Sequence, residues 1–115
     1  MDCIFCKIAA GEIPSSKVFE DEQVLAFNDI NPQAPVHILV IPKKHIDSAV
    51  AIEKEDAELI AHIFEVIKTV AKEQKLENGF RLVTNVGSDG GQSVKHLHFH
   101  ILGKKQFGES FGWQM

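Results

Sequence analysis

The chain has 115 residues, of which 44% are hydrophobic and 24% are charged, and its formal net charge is −4 at pH 7. These proportions are typical of a globular protein, so they exclude a disordered chain and predict one domain over residues 1–115. The acidic balance argues against nucleic-acid binding, which needs a basic surface. No apolar run reaches the ~18 residues of a membrane helix, and charged residues near the N-terminus argue against a signal peptide. We therefore expect a cytoplasmic protein that makes no membrane contact.

Hydrophobic periodicity and turn residues predict two helices and five strands. In chain order we expect a short helical segment that begins at Ile4 and ends near Gly11, and strands over 17–20, 23–27 and 36–41. A long helix over 55–76 and strands over 80–86 and 93–102 follow. Asn78–Gly79 is the predicted left-handed cap after the long helix. Because few helices are present to connect parallel strands, the predicted fold class is α+β. It combines a mainly antiparallel five-stranded sheet with one long helix and a short N-terminal helix.

The last predicted strand carries an alternation of histidines. His96, His98 and His100 fall on one face, and the residues between them are apolar and fall on the other. The apolar face suits packing against the long helix, so the imidazole face must meet a cleft, a ligand or a metal. Neighbouring imidazoles would lie about 6.6 Å apart and the outer two about 13 Å apart. Two adjacent imidazoles can therefore reach one phosphate, which leaves the third for another purpose.

A glycine-rich loop over residues 87–92 directly precedes this strand. Glycines let backbone N–H groups approach an anion closely, and the hydroxyl of Ser93 adds a further donor. Such a loop alone would fit many hairpins. Its place before the histidine alternation indicates a phosphate site.

The cysteines of the chain are Cys3 and Cys6, and their Cys-x-x-Cys spacing has three interpretations. A redox dithiol is disfavoured because only two residues precede the pair, too few for the strand that such motifs follow. The spacing also supplies half of a tetrahedral zinc site, which two histidines commonly complete. His45, after the central strand, and His96 are the predicted partners in a structural zinc site. Two buried thiols without a metal are the alternative.

Residues 90–102 closely resemble the signature of the histidine triad superfamily, in which three histidines alternate with hydrophobic residues. The resemblance also covers residues 2–8, 11–14, 26–30 and 33–45, and therefore nearly the whole chain. It is closest to the histidine triad nucleotide-binding branch. It implies hydrolysis of phosphoramidate bonds of purine nucleotides, by a homodimer that shares a sheet. Some bacterial members of the superfamily also bind zinc through a Cys-x-x-Cys pair and two histidines.

The resemblance assigns a role to each site residue. His98 matches the nucleophile that attacks the α-phosphorus and becomes nucleotidylated. The resemblance implies no catalytic cofactor. His100 and His37 match residues that contact phosphate oxygens. The family's phosphate-binding loop matches Asn85, Gly91, Gln92 and Ser93. Within this loop, Ser93 matches a catalytic serine. Asp29 matches a carboxylate that binds the ribose hydroxyls, although a turn-forming role competes with this one. The residues that match the walls around the base are Ile8, Phe27 and Ile30.

Three other functions stay open. One is a dinucleoside polyphosphate hydrolase of the superfamily. In those enzymes the sequence Leu-Pro-Arg usually follows the triad strand, whereas here Leu102 is followed by Gly-Lys. A zinc-dependent hydrolase would use the strand histidines as catalytic ligands, and a signalling module would bind a nucleotide with incidental turnover. Nucleotidyl transferases are disfavoured because they resemble a pattern with glutamine in place of His100. Outside the site, we expect a structural or solvent-facing role for His62 and a dimer contact for the aromatic residues within 107–113.

Overall fold

A computed structural model describes residues 3–109, and it confirms the predicted α+β fold class. The helices are α1 (Ile4–Ala9) and α2 (Ala57–Glu73), and two short 3-10 turns, Ala49–Ala51 and Lys54–Asp56, precede α2. The strands are β1 (Lys17–Glu20), β2 (Val24–Asn28), β3 (Val36–Pro42), β4 (Arg81–Val83) and β5 (Phe99–Gly103). Within residues 3–109, no helix has both the length and the apolar character needed to cross a lipid bilayer.

The strands form one five-stranded sheet in the order β1-β2-β3-β5-β4, and every neighbouring pair is antiparallel. The central strand β3 pairs with β5 so that His37 lies opposite Leu102 and Leu39 lies opposite His100. Directly opposite residues point to the same face, and so does every second residue along a strand. The register therefore puts His37 and His100 on one face of the sheet.

Each face of the sheet carries its own hydrophobic core. Helix α2 covers one face with an apolar stripe, and Ile63 and Val70 within this stripe are fully buried. Helix α1 covers the opposite face, where its buried residues Phe5 and Ile8 pack with side chains of β2 and β3. The residues between the triad histidines belong to the α2 core, so the histidines lie on the α1 face.

The last strand is shorter than predicted, because it begins at Phe99 and not directly after the glycine-rich loop. The preceding chain bends toward the segment after β3, where the Leu97 N–H donates to the Ile46 carbonyl at 2.6 Å. Apolar residues and histidines still point to opposite sides of the chain across this bend. Leu97 and Phe99 join the α2 core, whereas His96 and His98 are buried on the other side.

Helix α2 ends at Glu73, and the cap predicted at Asn78–Gly79 is wrong. Lys75 adopts the left-handed conformation with a φ of 58°, and its N–H and that of Leu76 donate to helix carbonyls at 3.1 and 3.0 Å. These two bonds form a Schellman motif, which is usually built on glycine. Leu76 then enters the α2 core, so burial of an apolar residue determines where the helix stops.

The aromatic segment after β5 is described only in part. The guanidinium of Arg81 lies over the ring of Phe107, with 4.4 Å from its central carbon to the ring centroid. Phe111 and Trp113, which the sequence predicted to pack across a dimer contact, lie outside the described residues.

Candidate active site and metal centre

Four buried histidines lie on the α1 face of the sheet. His37, His96, His98 and His100 each have 5% or less of their surface exposed. The ring centroids of His98 and His100 are 5.1 Å apart, which is within reach of a single phosphate. Phe5 packs edge-on against His98 and His96, with centroids 5.1 and 5.9 Å away. Helix α1 thus covers the triad and restricts its rings.

A backbone hydrogen bond orients the His98 ring. Its Nδ1–H donates to the carbonyl oxygen of His96 at 2.6 Å. Since a carbonyl oxygen can only accept, the proton must lie on Nδ1, and the neutral ring carries its lone pair on Nε2. Burial lowers the pKa of His98 below its ordinary value, which keeps the ring neutral at pH 7.

His37 and His100 form a second oriented pair. The backbone N–H of Gln33 donates to Nδ1 of His37 at 3.0 Å, so the Nε2–H of His37 donates to Nδ1 of His100 at 2.9 Å. The proton of a neutral His100 then lies on Nε2. Burial, together with the neighbouring imidazoles, lowers the pKa of His100 to about 4, and burial also lowers the pKa of His37. Both rings are therefore neutral hydrogen-bond donors at pH 7.

His98 and His100 border a cleft of about 340 Å³, whereas His37 is not part of its lining. Its lining includes seven residues that the sequence predicted for the nucleotide site, namely Ile8, Phe27, Asp29, Ile30, Ser93, His98 and His100. Ile4 and Phe5 also line the cleft, and the sequence analysis missed them. An amphipathic pattern in a short helix is the same whether its apolar residues pack in the core or line a ligand site. Only the placement of α1 over the triad therefore identifies Ile4 and Phe5 as cleft residues.

Asp29 has a turn-forming role and also faces the cleft. Its Oδ1 accepts the N–H of Asn31 at 2.8 Å, which is an Asx turn. Its Oδ2 lies 3.4 Å from Nε2 of His37, and the side chain is among those that line the cleft. The two interpretations of this carboxylate are therefore compatible, because the turn holds the side chain at the edge of the cleft.

Side chains of the predicted phosphate loop make hydrogen bonds that stabilise the conformation of the loop itself. The Asn85 amide donates to a loop carbonyl at 2.7 Å, and the Gln92 side chain accepts a loop N–H at 2.8 Å and donates to the Asp47 carbonyl at 2.7 Å. Gly91 has a φ of 77°, which favours glycine at this turn. Only Ser93 of this group lines the cleft. A phosphate-binding role for Asn85, Gly91 and Gln92 stays a prediction.

Cys3, Cys6, His45 and His96 meet as the sequence predicted, with one ligand atom of each within 4.8 Å of the others. Nδ1 of His96 lies 3.2 Å from Sγ of Cys3, 3.5 Å from Sγ of Cys6 and 3.2 Å from Nδ1 of His45. Sγ of Cys6 lies 3.3 Å from Nδ1 of His45. Tetrahedral zinc with bonds of ~2.3 Å to sulfur and ~2.05 Å to nitrogen separates N from N by about 3.3 Å and N from S by about 3.6 Å. The four side chains therefore fit a tetrahedral ion.

The outward ring nitrogens of both histidines in this cluster are hydrogen-bonded. Nε2–H of His96 donates to the Pro42 carbonyl at 2.8 Å, and Nε2–H of His45 donates to Oδ1 of Asp47 at 2.8 Å. Both Nδ1 lone pairs consequently face the cysteine sulfurs, as metal ligands require. The orienting role of Asp47 was not predicted from the sequence, although its spacing of two residues from His45 is a signal for it. His62, in contrast, lies on α2, where its Nε2 meets an Asp21 carboxylate oxygen at 2.6 Å.

Comparisons with known proteins give the family. Residues 2–114 match the protein family described as "Scavenger mRNA decapping enzyme C-term binding". The "14 kDa zinc-binding protein" of Zea mays is 50% identical over 105 residues, covering 90% of this chain and 82% of that protein. The structure of a HIT family hydrolase from Legionella pneumophila superposes with a TM-score of 0.94 at 52% identity, covering 96% of this chain and 100% of that chain.

A histidine triad nucleotide-binding protein from Candida albicans superposes with a TM-score of 0.86 at 34% identity, covering 99% of this chain and 85% of that chain. These similarities extend over nearly the full length and include the segment that bears the alternating histidines. The family match, the shared fold and the buried histidine cluster lead to one conclusion. This chain belongs to the histidine triad superfamily.

Proposed function

We propose that this chain hydrolyses phosphoramidates of purine nucleosides and that His98 is its nucleophile. The observation that carries the proposal is the orientation of His98. Its Nδ1–H is held by the His96 carbonyl at 2.6 Å, so the lone pair lies on Nε2 of a ring that lines the cleft. Similarity to a named hydrolase and to a named nucleotide-binding protein supports this reaction class.

The cleft offers a separate place for each part of a nucleotide. The apolar walls at Phe27 and Ile30 suit the flat face of a base. The Asp29 carboxylate accepts hydrogen bonds and suits the ribose hydroxyls. The Ser93 hydroxyl suits the phosphate beside His98. In this placement the α-phosphorus meets the oriented imidazole.

Two displacements at phosphorus follow. In the first, Nε2 of His98 bonds to phosphorus and the P–N bond to the amine breaks, so the amine leaves with its electron pair and takes a proton from water. In the second, water bonds to phosphorus, the bond to Nε2 breaks, and the water proton passes to solvent. His100, as a neutral donor, stabilises the charge on the phosphoryl oxygens in both steps. The products are a nucleoside monophosphate and an amine.

The test compares His98→Ala with the wild type on adenosine 5′-phosphoramidate. We expect kcat/KM to fall by about 10³-fold or more, as for removal of other catalytic nucleophiles. His62→Ala is the matched control, because this histidine lies on α2 with Asp21 as its partner. Rapid quenching of the wild type in alkaline denaturant, where a P–N bond to imidazole survives, followed by mass spectrometry, should find the nucleotidyl group on His98. A His98→Ala variant that retains most of its rate would contradict the proposal.

We also propose that Cys3, Cys6, His45 and His96 hold a structural zinc ion. The fit of their four ligand atoms to tetrahedral separations supports this proposal, and so does similarity to a protein named for zinc binding. Bound zinc would join α1 to the segments after β3 and before β5. This site has no open coordination position once all four residues bind, which suits a structural ion.

Elemental analysis tests the zinc site. Wild-type protein purified without chelator should contain about one zinc ion per chain, and His45→Ala should contain much less. His62→Ala again serves as the control, since it removes an imidazole that is outside the cluster. A wild type that remains free of zinc after incubation with the ion would show that the two cysteines are free thiols.

One observation favours a second candidate, a metal-dependent hydrolase. Ligand atoms of Asp29, His37 and His100 also lie within 4.8 Å of one another, and Asp29 and His100 line the cleft. The zinc-deficient His45→Ala variant separates the two mechanisms. If a chelator abolishes the residual turnover of this variant, a catalytic metal in the cleft is the better explanation. If the residual turnover is insensitive to chelators, nucleophilic catalysis by His98 stands.

We propose further that the chain forms a homodimer through the β4 edge of the sheet. Within residues 3–109 the sheet order places β4 at an edge, where β5 is its one strand partner, and the adjacent Phe80 is 38% exposed. Light scattering at micromolar concentration should give twice the chain mass of 12.8 kDa. A single species at the mass of one chain would refute the dimer.

A further inference from the structure

The backbone of His98 lies just beyond the paired part of the sheet. The pairing of β5 with β3 begins at Phe99, and its pairing with β4 begins at His100. The imidazole contacts of His98, with the His96 carbonyl and with the ring of Phe5, set the rotation of its ring. The position of its peptide group depends on contacts of the backbone.

The hydroxyl of Thr84 makes one such contact. Its Oγ1–H donates to the carbonyl oxygen of His98 at 2.8 Å. Val83 is the last residue of β4 and lies opposite His100, so an extension of this register would place Asn85 opposite His98. Because β4 ends before that pair, the Thr84 side chain bonds the His98 carbonyl at the point where the regular pairing of the two strands has stopped.

This hydrogen bond closes the base of the connection that carries the phosphate loop. Residues 84–98 connect β4 to β5 and contain the glycine-rich loop, and Thr84 and His98 are the first and last of them. Asn85, the next residue, donates from its side-chain amide to the Gly90 carbonyl at 2.7 Å. The start of the connection therefore contacts the loop on one side and the backbone of the proposed nucleophile on the other.

We propose that Thr84 is a positioning residue that holds His98 at the distance from the phosphate that attack requires. This inference rests on the proposed function and adds to it a residue that is absent from the lining of the cleft. Phe27 and Asp29, which the proposed function assigns to the nucleoside, belong to β2 and the loop after it, and two strands separate β2 from β4. Thr84 therefore acts on the attack at phosphorus and not on nucleoside binding.

The test removes the hydroxyl and keeps the shape of the side chain. Thr84→Val should lower kcat for adenosine 5′-phosphoramidate by about tenfold, because a small displacement of the attacking atom loses part of the benefit of proximity. KM should change by less than about twofold, because the nucleoside contacts are kept. Rapid quenching in alkaline denaturant should show that the nucleotidyl group forms more slowly on His98. Thr84→Ser, which retains the hydroxyl, should restore kcat to within about threefold of the wild type.

Two controls separate positioning from stability. Thr69→Val makes the same replacement at an exposed position of α2 and should leave kcat unchanged. Leu82→Ala removes an apolar side chain of β4 that packs against the α2 core. It should lower the urea concentration at which the protein unfolds, but not kcat at a temperature where the protein is folded. If Thr84→Val does not fold, the smaller pair gives the same comparison, and Thr84→Ser should exceed Thr84→Ala in kcat by about tenfold.

The outcomes separate this inference from the proposed function. Equal kcat values in the wild type and in folded Thr84→Val would overturn the positioning role, while turnover of the phosphoramidate would still support the proposed function. Thr84→Ser as slow as Thr84→Val, or an equal loss of kcat in Leu82→Ala, would show a merely structural role and would also overturn the inference. If the wild type does not hydrolyse the phosphoramidate, the proposed function fails together with the positioning role.

Discussion

Replacement of Phe5 by leucine should weaken the fold and slow turnover together, because this ring contacts both halves of the site. Phe5 is 7% exposed and packs edge-on against His98, His96 and Phe27, with ring centroids 5.1, 5.9 and 5.7 Å away. His98 is the proposed nucleophile, His96 belongs to the metal cluster, and Phe27 walls the cleft. Leucine keeps most of the apolar volume, so Phe5→Leu removes mainly the aromatic contacts.

The expected loss follows from these contacts. Each edge-to-face pair contributes about 0.5–1.5 kcal/mol beyond burial, and three pairs would sum to about 1.5–4.5 kcal/mol. Because the pairs share one ring, their effects are not additive, and we expect a loss of about 1.5–3 kcal/mol in the free energy of unfolding. Urea titration measures this loss. A small displacement of His98 should also lower kcat by about tenfold.

Phe64→Leu is the control for this prediction. Phe64 lies on α2, is 46% exposed, and makes one edge-on contact with Phe99 at 5.5 Å. It should lose at most about 1.5 kcal/mol of stability, and its kcat should not change. Equal effects of the two substitutions on stability and on kcat would refute the conclusion that α1 holds the nucleophile in place.

Three further predictions concern a site histidine, the proposed ribose contact of Asp29 and the α2 cap. The folded pKa of His100 is about 4, so between pH 6.5 and 4 the unfolded chain binds a proton that the folded chain does not, and stability falls as the pH falls. Urea titrations should show that the free energy of unfolding is lower at pH 5 than at pH 7. This decrease should be about 1–2 kcal/mol smaller in His100→Gln than in the wild type. Asp29→Ala should raise KM for adenosine 5′-phosphoramidate about tenfold but change KM little for its 2′,3′-dideoxy analogue, as steady-state kinetics would show. Lys75→Gly should stabilise the chain by about 1 kcal/mol in thermal or urea unfolding, because the left-handed cap position favours glycine.

Local patterns in the sequence predicted the faces of the molecule better than the ends of its elements. The alternation of residues 96–101 correctly assigned the apolar side to the α2 core and left the histidines on the other side. The position of His37 beside His100 was available only from the resemblance, since it depends on the β3–β5 register. Register joins residues that are distant along the chain, and no local pattern in this sequence specifies it.

The end of α2 shows how tertiary packing overrides a turn signal. Asn78–Gly79 is a strong cap signal, yet the helix stops earlier, and a lysine takes the left-handed position at Lys75. Burial of Leu76 in the α2 core offsets the cost of that conformation. The cap signal is used only in the following turn, where Gly79 has a φ of 100°.

The bend before β5 explains how two sites can share one residue. His96 contributes Nδ1 of its ring to the metal cluster and its backbone carbonyl to Nδ1–H of His98 at 2.6 Å. A regular strand would direct that carbonyl to a neighbouring strand, where it would be part of the ladder. Because the strand instead begins at Phe99, the carbonyl stays available to orient the His98 ring. The departure from the predicted strand is therefore the feature that links the proposed zinc site to the proposed nucleophile.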